Sequence, residues 1–111
     1  MKHDIEWKRY MSETRPLFIP VILGTTRKGR MSAHAAHFVH RQLQKRDGLG
    51  TELIDIAELN LGTDDAGEGV KDPAFSAAME RADAIVIVTP EYNHSFPGLL
   101  KHVLDSCLKE Y

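Results

Sequence analysis

Apolar residues form two nearly uninterrupted runs in this sequence, over residues 17–23 and 84–89. Runs of this length without polar alternation are typical of parallel strands that are covered on both faces. Residues 51–56 mix apolar and acidic side chains, which favours a second, partly exposed strand. Pro20 interrupts the first run, so we expect the strand ladder either to begin beside it or to lack one hydrogen bond there.

A segment with helical spacing follows each predicted strand. Apolar residues recur every three or four positions over 32–46, and Asp47-Gly48 is expected to end that helix. Asp72 and Pro73 have the residue types preferred at the N-cap and at the first position of a helix. They predict a second helix that extends to about residue 81.

The third helix is predicted to begin with Ser95 as its N-cap and with Pro97 in its first turn, where the missing N–H of proline has no cost. The single cysteine, Cys107, is expected to be a buried small hydrophobe, because no second cysteine is present for an internal disulfide. The apolar residues of this segment recur at helical spacing and form one wide face: Leu99, Leu100, Val103, Leu104, Cys107 and Leu108.

The element order β-α-β-α-β-α predicts a parallel sheet in an α/β fold. We assign residues 17–111 to this domain and residues 1–16, which are polar and aperiodic, to an N-terminal arm. A sheet of three strands is thin, and residues 84–89 would leave an open hydrophobic edge. The chain is therefore expected to be truncated or to need a partner.

Charge and composition restrict the classes of function that the chain can have. A formal net charge of -2 over 111 residues gives no electrostatic reason to expect a nucleic-acid partner. No apolar run approaches the length of a membrane span, and the first residues have no apolar core of a secretory signal. Together with the single cysteine, these features predict a cytoplasmic protein.

The loop between the first predicted strand and helix, GTTRKGRMS (residues 24–32), has a composition suited to an anion. It offers backbone N–H groups, hydroxyls, cations and the positive end of a helix, and a monophosphate would fit these donors. A solvated basic turn is the alternative. A nucleoside-triphosphate P-loop needs Lys and then Ser or Thr after its second glycine, and Arg30 and Met31 stand at those positions instead.

Histidines in the first predicted helix raise the question of a metal site. His34, His37 and His40 are three residues apart, a spacing that drifts around a helix instead of converging on one ion. No cysteine or carboxylate stands close to them in the sequence to complete a ligand set. We therefore predict no metal site and interpret the histidines as a solvated helix face.

GTTRKGRMS after the first strand and TPEYNHSFPGLLKHVLD after the third together resemble the NAD(P)H-dependent FMN reductases, which include quinone, azo-dye and chromate reductases. The resemblance covers roughly residues 17–111. It implies a flavodoxin-like, three-layer α/β/α fold with a parallel sheet, of which this chain holds the strand order 2-1-3 and lacks strands 4 and 5.

The same resemblance implies where FMN binds. The first loop corresponds to the one that wraps the FMN phosphate, and the second to the one that runs along the isoalloxazine ring, with Tyr92 as the residue suited to stacking. No catalytic base or nucleophile is expected, because the flavin performs the redox chemistry. The cofactor-binding residues implied in this way are Thr25, Arg27, Arg30, Met31 and Ser32 in the first loop, and Pro90, Glu91, Tyr92, Asn93 and Ser95 in the second.

These expectations lead to one main hypothesis and two alternatives. The main hypothesis is an oxidoreductase in which FMN takes a hydride from NADPH or NADH and passes electrons to a quinone-like or similar small molecule, in a homo-oligomer (dimer or tetramer). The first alternative is a non-enzymatic FMN-binding electron carrier, although Arg27 and the PEYN sequence favour the reductase. The second is an inactive truncated fragment that binds no flavin.

Overall fold

Five short strands and three helices make up the part of the chain that the computed structural model describes, residues 15–62, 71–107 and 110–111. A single 3₁₀ turn, Ile56–Glu58, follows the fourth strand. The elements, numbered in chain order, are β1 (Leu17–Phe18), β2 (Val21–Leu23), α1 (Ser32–Gln44), β3 (Leu49–Gly50), β4 (Leu53–Asp55), α2 (Pro73–Arg81), β5 (Val86–Val88) and α3 (Gly98–Asp105).

The strands pair in parallel around the first apolar run. The order β4-β2-β5 places the second predicted strand on one side of the first and the third on the other. β1 and β3 form a further parallel pair, just before β2 and β4 in the sequence. This confirms the predicted order 2-1-3.

Pro20 separates β1 from β2. The N–H groups of Ile19 and Val21 donate to the carbonyls of Gly50 and Glu52, on the β3–β4 side. Because successive residues of a strand point their N–H groups to opposite sides, the nitrogen of Pro20 lies on the β5 side, where one ladder hydrogen bond is absent. This confirms the expectation that the strand ladder lacks one hydrogen bond at Pro20.

The sheet is covered by helices on both faces, as in a three-layer α/β/α fold. Val21 and Leu23 are buried with Ala36 beneath α1, and the alternate residue Ile22 is buried on the opposite face. Phe75 of α2 and Val103 of α3 pack in the core with Ile22. The period of two along β2 thus gives each helix layer its own apolar surface.

β5 is covered less fully than we predicted. Val86 and Val88 pack under α1, but Ile85 is 37% exposed and Ile87 is 36% exposed. The prediction that this strand is buried on both faces is wrong for the described residues, because β5 pairs with β2 only and lies at the edge of the sheet. Among the residues that the structure describes, the predicted open hydrophobic edge is present.

The boundaries of several elements differ from the predicted ones, and β5, for example, covers Val86–Val88 instead of residues 84–89. The second predicted strand corresponds to β3 and β4. It begins at Leu49 instead of residue 51, and Ile56 belongs to the 3₁₀ turn that follows β4. The Asp55 side chain accepts a hydrogen bond from the N–H of Ala57, 3.0 Å away, and this bond starts the turn and ends the strand early. α1 ends at Gln44, two residues before the predicted end.

Local chemistry correctly predicts the start of α2. Asp72 is its N-cap, and Oδ1 accepts hydrogen bonds from the N–H groups of Ala74 (2.9 Å) and Phe75 (3.1 Å). The other carboxylate oxygen accepts a hydrogen bond from the N–H of Asn60, so Asp72 also ties the preceding loop to the helix. Pro73 occupies the first helical position, as predicted.

Cys107 follows α3 and is buried, which confirms its predicted place in the core. Burial raises the pKa of its thiol to about 11, so the sulfur is protonated and poorly nucleophilic at neutral pH. Leu100 and Val103 share this buried face, whereas Leu99 is exposed. The apolar face of α3 is therefore narrower than predicted.

Arg15, which precedes β1, is tied to the body of the protein through Asp83. Its carboxylate oxygens accept hydrogen bonds from Arg15 at 2.7 and 2.8 Å, and Oδ2 also accepts from the N–H of Phe18 at 2.7 Å. The Arg15 hydrogen bonds, and then the Phe18 N–H, lower the pKa of Asp83 from 3.8 to about 2. Folding therefore favours the ionised carboxylate.

We expect Asp83→Asn to lower the melting temperature at pH 7 and the effect to fade in acid. A carboxyl with a depressed folded-state pKa stabilises the protein above its unfolded value of 3.8 and loses that contribution as the pH falls to about 2. Thermal unfolding of wild type and variant between pH 7 and pH 2 measures this, with the exposed Asp47→Asn as control. A melting-temperature difference that stayed constant over this range would contradict the assignment.

Two predictions concern residues outside the described ones. These are most of the predicted N-terminal arm (residues 1–14) and Leu108 of the predicted third helix. Within the described ranges, none of the helices has the length and apolar character needed to cross a membrane.

Candidate functional site

The two loops singled out from the sequence meet at the carboxyl edge of the sheet. One connects β2 to α1 and the other connects β5 to α3, and β2 and β5 are paired neighbours in register from Val21–Val86 to Leu23–Val88. Ligands of open α/β sheets bind outside the carboxyl ends of the strands, where loops of this kind converge. The strand order therefore assembles a site from segments that are distant in sequence.

The β2–α1 loop begins with a close approach between backbones. Gly24 donates its N–H to the Val88 carbonyl at 2.8 Å, and a Cβ on it would lie 2.9 Å from a methyl carbon of Leu100. Further along, Arg30 donates its N–H to the Arg27 carbonyl in a turn whose third residue, Gly29, has φ +68°. Both glycines are needed for the loop to adopt this path.

Arg30 is the most constrained cation of this loop. Its Nη1 donates to the Thr25 carbonyl at 2.5 Å, and its Nη2 forms an ion pair with Oδ2 of Asp55. In contrast, the structure gives Arg27 and Lys28 no side-chain ion pair among the described residues, and both are exposed. Of the three cations of this loop, Arg30 is held by contacts within the protein, whereas Arg27 and Lys28 remain available to a ligand.

The start of α1 has donors without partners. Met31 is the N-cap and provides no side-chain hydrogen bond, so the first N–H groups of the helix are not capped from within. Ser32 Oγ is buried, and no described residue is within hydrogen-bonding distance of it. A buried hydroxyl without a partner is rare and costly in folded proteins, which makes this position a natural one for an external acceptor.

The β5–α3 loop contains a tight turn that the sequence analysis did not predict. Tyr92 and Ser95 exchange two backbone hydrogen bonds, of 2.7 and 2.9 Å, across Asn93 and His94. Those two residues have φ of 51° and 63°, as a type I′ turn requires at both central positions. The loop is therefore a small hairpin held by its own backbone.

This turn overturns the predicted start of the third helix. Ser95 is engaged in the turn and is not an N-cap; α3 begins at Gly98, and its N-cap is Pro97. The prediction of a helix from Ser95 is wrong because the paired backbone groups of Tyr92 and Ser95 fix the chain in the hairpin before the helix can form. Phe96, between the turn and the helix, is exposed.

A hydrogen bond between two side chains joins the loops. Thr25 Oγ1 lies 3.1 Å from Tyr92 Oη, across 67 residues of sequence, and Thr25 is only 3% exposed. The predicted stacking residue is therefore attached at its hydroxyl end to the loop predicted to bind phosphate. Its ring is held between the two halves of the site.

Both residues of this contact line two cavities. The first, about 360 Å³, has a cationic and hydroxyl-rich lining: Thr25, Arg27, Lys28, Gly29, Arg30, Met31, Ser32, Pro90 and Tyr92. The second, about 390 Å³, extends over the start of α3 and is lined by Thr25, Thr26, Arg27, Tyr92, Pro97, Gly98 and Leu99. Thr25, Arg27 and Tyr92 line both cavities.

Most of the predicted cofactor-binding residues therefore lie at one place. All five from the first loop, together with Pro90 and Tyr92, line the first cavity. Asn93 and Ser95 belong to the hairpin and Glu91 precedes it, and none of the three lines either cavity. His94 Nδ1 lies 3.3 Å from the Glu91 carboxylate at the surface.

Several residues of the site are absent from the predicted cofactor-binding set, among them Thr26, Lys28 and Gly29 of the first loop. Pro97, Gly98 and Leu99 line the second cavity because the helix begins later than predicted. Asp55 was missed because it contacts Arg30 from another strand. A signal for Asp55 was present in the sequence, since it is a carboxylate at the end of a predicted strand that reaches the same edge of the sheet.

The described residues contain no cluster of three His, Cys, Asp or Glu side chains that could hold a metal ion. His34 and His37 are exposed on α1, and His40 is half-buried. His102 of α3, which lies outside this group, places Nε2 2.9 Å from the Gly62 carbonyl.

Comparison with known proteins places most of the chain in one family. The family model for NADPH-dependent FMN reductase matches residues 18–110. A 2-hydroxy-1,4-benzoquinone reductase from a Burkholderia species is 35% identical, over 80% of this chain and 49% of its own length. A quinone reductase from Escherichia coli is 36% identical, over 80% of this chain and 49% of its own length.

An NAD(P)H-dependent FMN reductase from Schizosaccharomyces pombe is 27% identical, over 84% of this chain and 52% of its own length. The chain thus spans about half the length of the curated relatives it matches. The family match nevertheless includes every described strand and helix apart from Leu17, the first residue of β1. The chain, with its flavodoxin-like α/β fold, belongs to the NADPH-dependent FMN reductase family.

Proposed function

We propose that this chain forms the FMN-binding part of an NAD(P)H-dependent oxidoreductase that reduces a quinone-like small molecule. Family membership implies FMN as the cofactor and NAD(P)H as the electron donor. The quinone-like acceptor is inferred from the relatives named quinone reductase and 2-hydroxy-1,4-benzoquinone reductase.

The observation that carries this proposal is the unpartnered hydroxyl of Ser32, a residue that lines the first cavity. A phosphate bound there would accept its hydrogen bond and those of the uncapped N–H groups at the start of α1. Arg27 and Lys28 line the same cavity and would neutralise the phosphate charge. The donor set of this structure therefore fits the phosphate group of FMN.

The second cavity suits the flavin ring. Its lining combines the aromatic ring of Tyr92 with Pro97 and Leu99, and these would contact the flat faces and edges of an isoalloxazine. Because Thr25 and Tyr92 line both cavities, one ligand with a phosphate at one end and an aromatic ring at the other could span them.

A flavin supplies hydride and electron transfer itself, so the protein's tasks are to hold it, to position it and to leave access for its substrates. In this proposal the β2–α1 loop binds the phosphate, and the hairpin of residues 92–95 positions the aromatic end through Tyr92. No residue of the two loops needs to act as a general base.

The assembly and cellular setting that we propose follow from the same assignment. We propose a homo-oligomer, either a dimer or a tetramer, supported by the apolar side chain of Phe96, which is exposed between the hairpin and α3. We propose a cytoplasmic setting because the reaction requires a supply of NAD(P)H.

Titration of the purified protein with FMN and with riboflavin, which lacks the phosphate, tests the proposal. Hydrogen bonds to a charged group are worth about 1.5–3 kcal/mol each, so FMN should bind at least about tenfold more tightly than riboflavin. Quenching of flavin fluorescence gives both affinities. Equal affinities would contradict the assignment of the first cavity to phosphate.

Steady-state kinetics then separates the reductase from the two alternatives. An NAD(P)H-dependent oxidoreductase should oxidise NADPH or NADH when FMN and a benzoquinone are both present. A protein that binds FMN tightly but does not oxidise nicotinamide would be an electron carrier. A protein that binds no flavin would be the inactive fragment.

A further inference from the structure

We propose that Arg30 is a positioning residue: clamped between Asp55 and the Thr25 carbonyl, it sets the shape of the β2–α1 loop for a phosphate and does not bind the phosphate itself. This inference rests on the proposed function, because it concerns the same cavity. It also changes the role implied by family resemblance, in which Arg30 contacts the cofactor directly, and it adds Asp55 to the residues on which binding depends.

The guanidinium of Arg30 makes its hydrogen bonds within the protein. One N–H closes the loop on itself through the Thr25 carbonyl, at 2.5 Å, and another meets the Asp55 carboxylate. Both side chains of the ion pair are 19% exposed, so the pair is largely shielded from water and its attraction is screened less than that of a surface pair. Freeing Arg30 for a ligand would leave the Asp55 charge without this partner.

Strand register explains why these two residues meet. Asp55 is the last residue of β4 and pairs in register with Leu23, the last residue of β2. The β2–α1 loop therefore leaves the sheet directly beside Asp55. The second oxygen of Asp55 is occupied by the N–H of Ala57, which fixes the carboxylate and, through it, Arg30.

The clamp leaves the remaining donors of the loop free to face a ligand. With the loop drawn together from Thr25 to Arg30, Arg27 and Lys28 project from the turn at Gly29, and Ser32 follows at the first position of α1. Preorganised donors bind an anion more tightly than donors that must first be ordered. The ion pair would therefore contribute to phosphate affinity without touching the phosphate.

Asp55→Asn distinguishes a positioning role of Arg30 from direct binding by the direction in which it changes the affinity for FMN. Asparagine keeps an oxygen for the Ala57 N–H but removes the charge that holds Arg30. Under the proposal, FMN affinity falls by about tenfold, as for the loss of one hydrogen bond to a charged group, and riboflavin affinity is unchanged. If Arg30 binds the phosphate directly, removal of the competing carboxylate leaves FMN affinity unchanged or raises it, which would overturn the proposal.

A double-mutant cycle with Arg30→Met adds a second criterion. When two residues act as one unit, the double variant Arg30→Met/Asp55→Asn binds FMN no more weakly than the weaker single variant. Multiplicative losses would mean independent roles and would overturn the proposal. Arg46→Met, which removes an exposed arginine just after α1, is the matched control and should bind FMN like the wild type.

Hydrogen exchange of the flavin-free protein distinguishes failure of this inference from failure of the proposed function. In Asp55→Asn, the backbone N–H groups of residues 26–31 should exchange faster than in the wild type, while those of the strands are unchanged. Unchanged exchange in the loop would overturn the positioning role. If the wild-type protein binds no FMN but the loop still loosens in the variant, the proposed function fails and the clamp remains.

Discussion

Replacing Arg27 with alanine is expected to weaken FMN binding by about ten- to a hundredfold, the range that corresponds to losing a charge-assisted hydrogen bond of about 1.5–3 kcal/mol. Arg27 lines both cavities, and no ion pair with another described side chain competes for its guanidinium. Arginine can also present two parallel N–H groups to a phosphate. Fluorescence titration of the variant with FMN measures the loss.

Two further variants show what Arg27 contributes. Arg27→Lys keeps the charge but removes the planar fork, so an intermediate affinity is expected. Lys28→Ala, which removes the neighbouring exposed cation that lines one cavity only, should have a smaller effect than Arg27→Ala. FMN affinity that is unaltered in Arg27→Ala would remove this residue from the site.

When the 111-residue chain is produced alone, it is expected to self-associate through β5. The strand has a hydrogen-bonded neighbour on one side only among the described residues, and Ile85 and Ile87 are exposed beside the open edge. A short, uncharged and hydrophobic edge strand is a template for pairing with another chain. Light scattering over a range of concentrations should therefore report a mass that rises well above the monomer's.

A charged residue on the edge should suppress this association. Ile87→Lys places a cation where another strand would pair, and it should shift the protein towards the monomer. Phe38→Lys is the matched control, because Phe38 is also exposed and apolar but lies on α1. A wild-type chain that stays monomeric at tens of micromolar would show that the edge does not drive association.

Features decided by neighbouring residues could be predicted from the sequence. Asp72 and Pro73 begin a helix because a carboxylate can reach the N–H groups two and three residues ahead, and this chemistry is local. The alternation of β2 between two helix layers likewise follows from its apolar run. The strand order agreed with the family resemblance and could not have been derived from periodicity.

Features decided by residues that are distant in the sequence could not be predicted in this way. Ser95 is a good N-cap by composition, but the hairpin formed by Tyr92 and Ser95 competes for the same segment. The exposure of Ile87 depends on which strand lies next to β5, and the Arg30 ion pair depends on the register of β4 against β2. In the candidate site, the residue types predicted a cationic and hydroxyl-rich lining, and the tertiary structure decided which of the cations form ion pairs with described residues.

The hydrogen bond between Thr25 and Tyr92 would make recognition of a ligand that spans both loops depend on correct assembly of the sheet. Neither loop alone contains the site, and the two hydroxyls meet only when β5 has docked beside β2 in the observed register. A slip of one residue would exchange the two faces of β5 and remove Tyr92 from Thr25. A ligand that spans both loops would therefore bind only the correctly registered sheet and would stabilise it by mass action. A chain in which β5 had slipped would not gain this stabilisation, so the cofactor would favour the correct register late in folding.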